Sequence, residues 1–189
     1  MSNLTEKMRT VLALAEAAKD MGASAAAPVL AGAIMVDPRV RLKCRLNVCG
    51  QYGRNLMCPP HVWEVADTAA AINRYTFALL AQITAPADMA ESRQVFDREK
   101  TNMNEIIVAL EREAFRLGFS LAMGLSAGHC QLCAVCAGVE GGRACRRPDR
   151  ARPSMEATGI DVTATCAAAG LATGFVPGRV TVTGLLLID

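Results

Sequence analysis

The sequence predicts an α/β fold with a single sheet of about four or five strands covered by helices, and three observations lead there. Apolar residues recur at spacings of three, four and seven along two long segments, the pattern of helices that bury one face. Short runs such as TFALLAQIT and VTVTGLLLI, rich in β-branched and aliphatic residues, read as strands. Helical and strand patterns alternate with no repeat, low-complexity segment or long linker, which argues for helices packed on at least one face of one sheet. The 189 residues are 52% hydrophobic and only 4% aromatic, so Ala, Leu, Val, Ile and Met must build the core of one domain over residues 1–189.

In chain order, Leu4, Met8, Val11, Leu12 and Ala15 share a face and predict a helix over 4–20, with Gly22 as its stop. Residues 23–30 read as a loop or a weak strand, and a short β run is expected near Ala33 to Val36, broken by Asp37-Pro38. A loop punctuated by Gly50, Gly53, Pro59 and Pro60 follows. A helix is expected from about Val62 to Arg74, then the strand TFALLAQIT. Asp88 and Glu91 form a capping box for the longest helix. Its buried stripe runs through Phe96, Met103, Ile106 or Ile107, Leu110, Ala114 and Leu117 up to Gly118. FSLAMGLSA is a third strand. Residues 138–153 are loop-like and basic. Ser154 caps a helical turn, Asp161 caps a helix that stops at Gly170, and VTVTGLLLI closes the chain as a core strand.

A net charge of +2 is too small to imply a nucleic-acid or membrane partner. Glu6, Lys7, Arg9, Glu16, Lys19 and Asp20 interrupt the N-terminal segment, as in an amphipathic helix and unlike a signal peptide. No apolar run approaches the roughly 18–20 residues that span a bilayer. The expectation is a cytoplasmic protein whose thiols stay reduced; the alternative is an exported, disulfide-bonded one.

Against that background the eight cysteines stand out. Cys44, Cys49 and Cys58 are spaced C-x4-C-x8-C within residues 43–61. Cys130, Cys133, Cys136 and Cys145 are spaced C-x2-C-x2-C-x8-C within residues 129–153, and Cys166 follows. Thiols this crowded do not satisfy disulfide geometry together, whereas soft thiolates converge on zinc, copper(I) or iron–sulfur clusters. Both groups border strand ends, so the two metal-binding loops are expected to meet at one edge of the sheet.

The C-x2-C-x2-C run places three thiolates on one face of a cubane cluster, whose fourth ligand often comes from a distant Cys followed by Pro. Cys58-Pro59 fits that description, with Cys145 and Cys166 as rivals. Eight cysteines make two complete [4Fe-4S] clusters; three thiolates on one cluster would instead leave an open iron. Zinc is the rival metal, since C-x2-C is also a zinc half-site, although zinc knuckles usually come in pairs. Unliganded core thiols are the remaining reading, and it suits Cys166, on a helix among alanines.

Arg143, Arg146, Arg147, Arg150 and Arg152 crowd the second group, and Lys43, Arg45 and Arg54 the first. They either offset anionic clusters or form a solvated basic loop, and an anion site beside the metal is a third option. The two histidines, His61 and His129, each adjoin a cysteine motif and are candidates to bond a sulfur, ligate metal or shuttle a proton. There is no P-loop, no GxGxxG after a strand and no GxSxG. A His129–Cys130 nucleophile pair is conceivable, but clustered thiols favour metal ligation.

The segments KCRLNVCGQYGRNLMCPPH, GHCQLCAVC, RRPDRARPSMEATGIDV and VTGLLLID resemble a family of uncharacterised, predicted metal-binding proteins found largely in anaerobic prokaryotes. The resemblance runs from about Val40 to the C-terminus and takes in all eight cysteines. It implies metal or iron–sulfur binding in the redox metabolism of anaerobes, and no substrate.

Three functions follow as expectations. The first is an iron–sulfur protein binding two [4Fe-4S] clusters through Cys44, Cys49, Cys58, Cys130, Cys133, Cys136, Cys145 and Cys166, passing electrons to a redox partner protein or acting as a redox accessory. The second is an iron–sulfur enzyme with an open iron that acts on a small molecule, with His61, Glu140 and Asp161 as acid–base groups. The third is a zinc-stabilised structural or interaction module.

Overall fold

A computed structural model describes residues 2–173 and 176–189 of the chain. Its elements in order are α1 (Ser2–Asp20), β1 (Ala25–Leu30), α2 (Pro38–Arg45), α3 (Val65–Ile72), β2 (Phe77–Pro86), α4 (Ser92–Arg116), β3 (Met123–Leu125), α5 (Val162–Ala168) and β4 (Arg179–Ile188). Short 3-10 turns lie at Ala31–Ala33, Ala137–Glu140 and Glu156–Thr158. The strands form one sheet in the order β1-β2-β4-β3, antiparallel at every pairing. This is the α/β fold that the alternation predicts.

Strand periodicity decides which side chains meet which layer. Along β2, Phe77, Leu79, Ala81 and Ile83 face one side, where Val11 and Leu14 of α1 and Met103, Ile107 and Leu110 of α4 cover them. Ala78 and Leu80 face the other side with Leu185 and Leu187 of β4, against Ile34, Ile72, Met155, Ile160 and Cys166. The sheet is therefore covered on both faces. α4 sits closest on β4 at Gly184, where an added Cβ would lie 2.7 Å from Ile107 Cγ1 and 2.8 Å from Met103 Sδ. No helix among the described residues is long and apolar enough to cross a membrane.

Three elements depart from the sequence expectation. Residues 43–45, expected at the start of the first cysteine loop, instead end α2, which forms because Asp37 caps it by accepting from Arg39 N at 2.8 Å and Pro38 occupies the first turn. The expected β run at 33–36 shrinks to a 3-10 turn, with Ile34 N donating to Ala31 O at 3.0 Å, and a lone bridge from Val36 to Ile160. The third strand is only Met123–Leu125. After Gly118 (φ +97), Phe119 N donates back to Ala114 O at 3.0 Å and Ala122 N to Phe119 O at 3.1 Å, so 119–122 are spent in a turn.

Candidate metal centre

The first cysteine loop begins on α2, whose last turn carries Cys44. α2 is anchored to the far segment by Asp37 N donating to Gly159 O at 2.8 Å, and it packs on the turn at Glu156–Thr158. Beyond it, Asn47 (φ +53), Gly50 and Gly53 adopt left-handed backbone and let the chain curl. The Asn47 side chain accepts from Tyr52 N at 2.9 Å, and the His61 ring reaches Gly53 O at 3.2 Å. Cys49 is exposed on this curl, Cys44 half-buried and Cys58 buried.

The second loop leaves edge strand β3 and is closed at its base, where Ser126 N donates to Pro153 O at 2.8 Å and Met155 N to Ser126 O at 3.1 Å. Arg152 clasps Glu111 of α4, its Nε at 2.9 Å from Oε2, and Arg150 pairs with Glu105. These two arginines fasten the basic loop to α4. Arg146 pairs with Glu140, and Arg146 and Arg147 line the cavity that the cysteines face.

The loops touch each other. Asn55 Nδ2 donates to Cys130 O at 2.8 Å, and Leu56 N donates to the Cys136 sulfur at 3.4 Å. At Gly138 an added Cβ would lie 2.5 Å from Arg54 O, so the approach leaves no room for a side chain.

The thiols divide into two sets. Cys130, Cys133, Cys136 and Cys145 line one small cavity with Asn55, Leu56, Arg146 and Arg147. Cys44, Cys49 and Cys58 line another of about 290 Å³ together with His129 and Glu156. Cys44, Cys49, Arg93 and Glu156 of that cavity also border an open cleft of about 500 Å³, together with Lys43 and Asp161. Cys166 stands apart in the core, its sulfur 3.7 Å from Gln82 Nε2 and 3.9 Å from Thr183 Oγ1. Among the described residues no three His, Cys, Asp or Glu side chains gather closely enough for a single ion, and the sulfurs ring cavities instead of meeting at a point.

Electrostatics couples the sets. Burial, then the nearby thiols of Cys49, Cys44, Cys130 and Cys136, push the Cys58 thiol up to about 12. Cys130 and Cys44 are also raised, chiefly by burial. The donor set suits a thiolate-bound metal or cluster. Four thiols face one cavity, and backbone N–H groups already point at the sulfurs, with Arg147 N 3.4 Å from Cys145 Sγ and a bond from Leu132 at Cys130.

The other polar residues singled out from the sequence have plain placements. Glu140 is tied to Arg146, and Asp161 caps α5 by accepting from Ala164 N at 3.0 Å while bordering the cleft. Two residues escape the sequence reading. Lys100 is 2% exposed, 2.7 Å from Asp97 and within 3.3 Å of the His129 ring. Its signal was a lysine on the apolar stripe, four residues after Phe96 and three before Met103. The other is Glu156, whose position inside a conspicuous motif segment was its only mark.

No curated protein and no solved structure matches the chain. A family model matches residues 27–188, a span that contains all eight cysteines. With that match set beside two cavities lined by thiols, the chain belongs to the DUF2284 family, described as predicted metal-binding proteins.

Proposed function

We propose that this protein binds two iron–sulfur clusters, one at Cys130, Cys133, Cys136 and Cys145 and one at Cys44, Cys49 and Cys58, and serves in electron transfer or as a redox accessory. One observation carries the reading: the C-x2-C-x2-C run and Cys145 line a single cavity into which backbone N–H groups donate. Iron is preferred over zinc because a continuous three-thiolate run is a cubane arrangement. When bound, such clusters supply one-electron chemistry. The chain's own residues hold the sulfur charge: Leu56 and Arg147 donate N–H groups, and Arg146 and Arg147 place positive charge beside the cavity. Cys166 acts here as a core thiol, bonded to Gln82 and Thr183.

A second reading, an iron–sulfur enzyme acting on a small molecule, is favoured by the cleft. It opens beside the set with only three thiols and carries Lys43 and Arg93 at its border. A partner protein would instead leave this cleft without a small ligand.

Single substitutions test the two-centre model. Cys133→Ser and Cys44→Ser should each remove about half of the iron. Loss of all iron from either variant would replace two centres with one shared site.

A further inference from the structure

Three thiols do not complete a centre. Thiolate-bound zinc and cubane clusters both take four protein donors when closed. The cavity of Cys44, Cys49 and Cys58 has no further cysteine in its lining, but it has Glu156. Glu156 Oε2 is shielded from water and has no hydrogen-bond partner, a state shared among the described residues only with Ser126 Oγ. The Ser154 hydroxyl and the backbone N–H of Glu156 itself hydrogen-bond the carboxyl, but neither reaches Oε2. Arg93 borders the same cavity but is 3.1 Å from Asp97, and among the described residues no cation pairs with Glu156. Burial accordingly pushes the Glu156 carboxyl up from its ordinary range.

The backbone holds Glu156 firmly. Ala157 N donates to Ser154 Oγ at 3.1 Å, and Ile160 N to Met155 O at 3.0 Å, above the fully buried Met155 and Ile160. α2, which carries Cys44, packs on this turn, so the carboxylate and the first thiol are positioned together. His129 lines the same cavity, but its ring is already engaged by Lys100 at 3.3 Å.

We propose that Glu156 is the oxygen ligand that completes the Cys44, Cys49 and Cys58 centre, whose spread side chains suit an iron–sulfur cluster and not a single ion. This rests on the reading that the loops hold metal. A carboxylate is a harder and more readily exchanged ligand for such a centre than a thiolate. Glu156 borders the cleft of Lys43 and Arg93 together with Cys44 and Cys49, and of these three it is the ligand that exchanges most readily.

The test is anaerobic reconstitution of wild type, Glu156→Gln and Glu156→Cys with natural-abundance ferrous iron and sulfide, followed by incubation with iron-57 and Mössbauer spectroscopy. Glu156→Gln should take up one iron-57 per chain about tenfold faster than wild type, and Glu156→Cys no faster than wild type. Equal exchange in all three proteins overturns the assignment. Circular dichroism accompanies each variant. Should Glu156→Gln misfold, Glu156→Cys decides alone, by gaining sulfur-to-metal absorption or by leaving the spectrum unchanged, which overturns it. If wild type takes zinc and no sulfide, the iron–sulfur reading falls. The ligand assignment is then read from cobalt(II) spectra, where Glu156→Cys must add one thiolate band set to that of wild type, and identical spectra overturn it.

Discussion

The backbone N–H of Leu56 donates to the sulfur of Cys136 at 3.4 Å, across 80 residues of sequence. A donor from the first cysteine loop thus serves a thiol of the second. With Asn55 Nδ2 bonded to Cys130 O at 2.8 Å, the loops form one unit, and disturbing either should be felt in both.

Gly138→Ala is the sharpest way to part them. The new methyl group would lie 2.5 Å from Arg54 O, a backbone atom, so the chain itself must yield. The expected cost is about 1–3 kcal/mol in urea denaturation, with faster loss of metal to a chelator than from wild type.

Asn55→Ala removes a 3% exposed side chain that donates to Cys130 O and accepts from Met57 N at 3.0 Å. A part-buried carbonyl and a part-buried N–H lose their partners together. The expected destabilisation is about 1–3 kcal/mol, measured by the same denaturation, with Asn55→Asp recovering only the Met57 contact.

Much of the scaffold was legible because local pattern and tertiary burial agree. Met103, Ile107, Leu110 and Ala114 are buried on α4 as their spacing requires, and VTVTGLLLI is a core strand. The expected capping box falls a turn early: Asp88 accepts from Glu91 N at 2.8 Å in the turn before α4, whose N-cap is Glu91 with no side-chain cap bond. The misses have local causes. Asp37-Pro38 reads equally as a strand break and as a cap with Pro in the first turn, and only the bridge to Ile160 and the bond to Gly159 decide. Spacing named the cysteines but not their partition. Which thiols share a cavity depends on contacts such as Leu56 to Cys136, between residues far apart in sequence. The same holds for Glu156, which becomes conspicuous only once burial strips its oxygen of partners.

Cys166→Ala tests the division of thiols. With its sulfur against Gln82 and Thr183, the substitution should cost about 1 kcal/mol of stability and leave iron content unchanged. Loss of iron on the scale of Cys133→Ser would make Cys166 a ligand.

Asp97 sets an acid limit. Burial raises its pKa, but hydrogen bonds from Lys100 and Arg93 more than reverse this and hold it below the ordinary 3.8. A lowered folded-state pKa contributes stability that is complete above 3.8 and lost as pH falls through the folded value. Urea midpoints of wild type and Asp97→Asn should therefore differ most near neutral pH and converge as pH falls below 3.8. A constant gap across that range would remove Asp97 from the account.

The most direct measurement is iron, zinc and acid-labile sulfide on anaerobically purified protein, with absorption spectra before and after dithionite. Two clusters predict about eight irons and eight sulfides per chain and a visible band that bleaches on reduction. Zinc without sulfide, in colourless protein, would contradict the iron–sulfur reading and leave a zinc-stabilised module in its place.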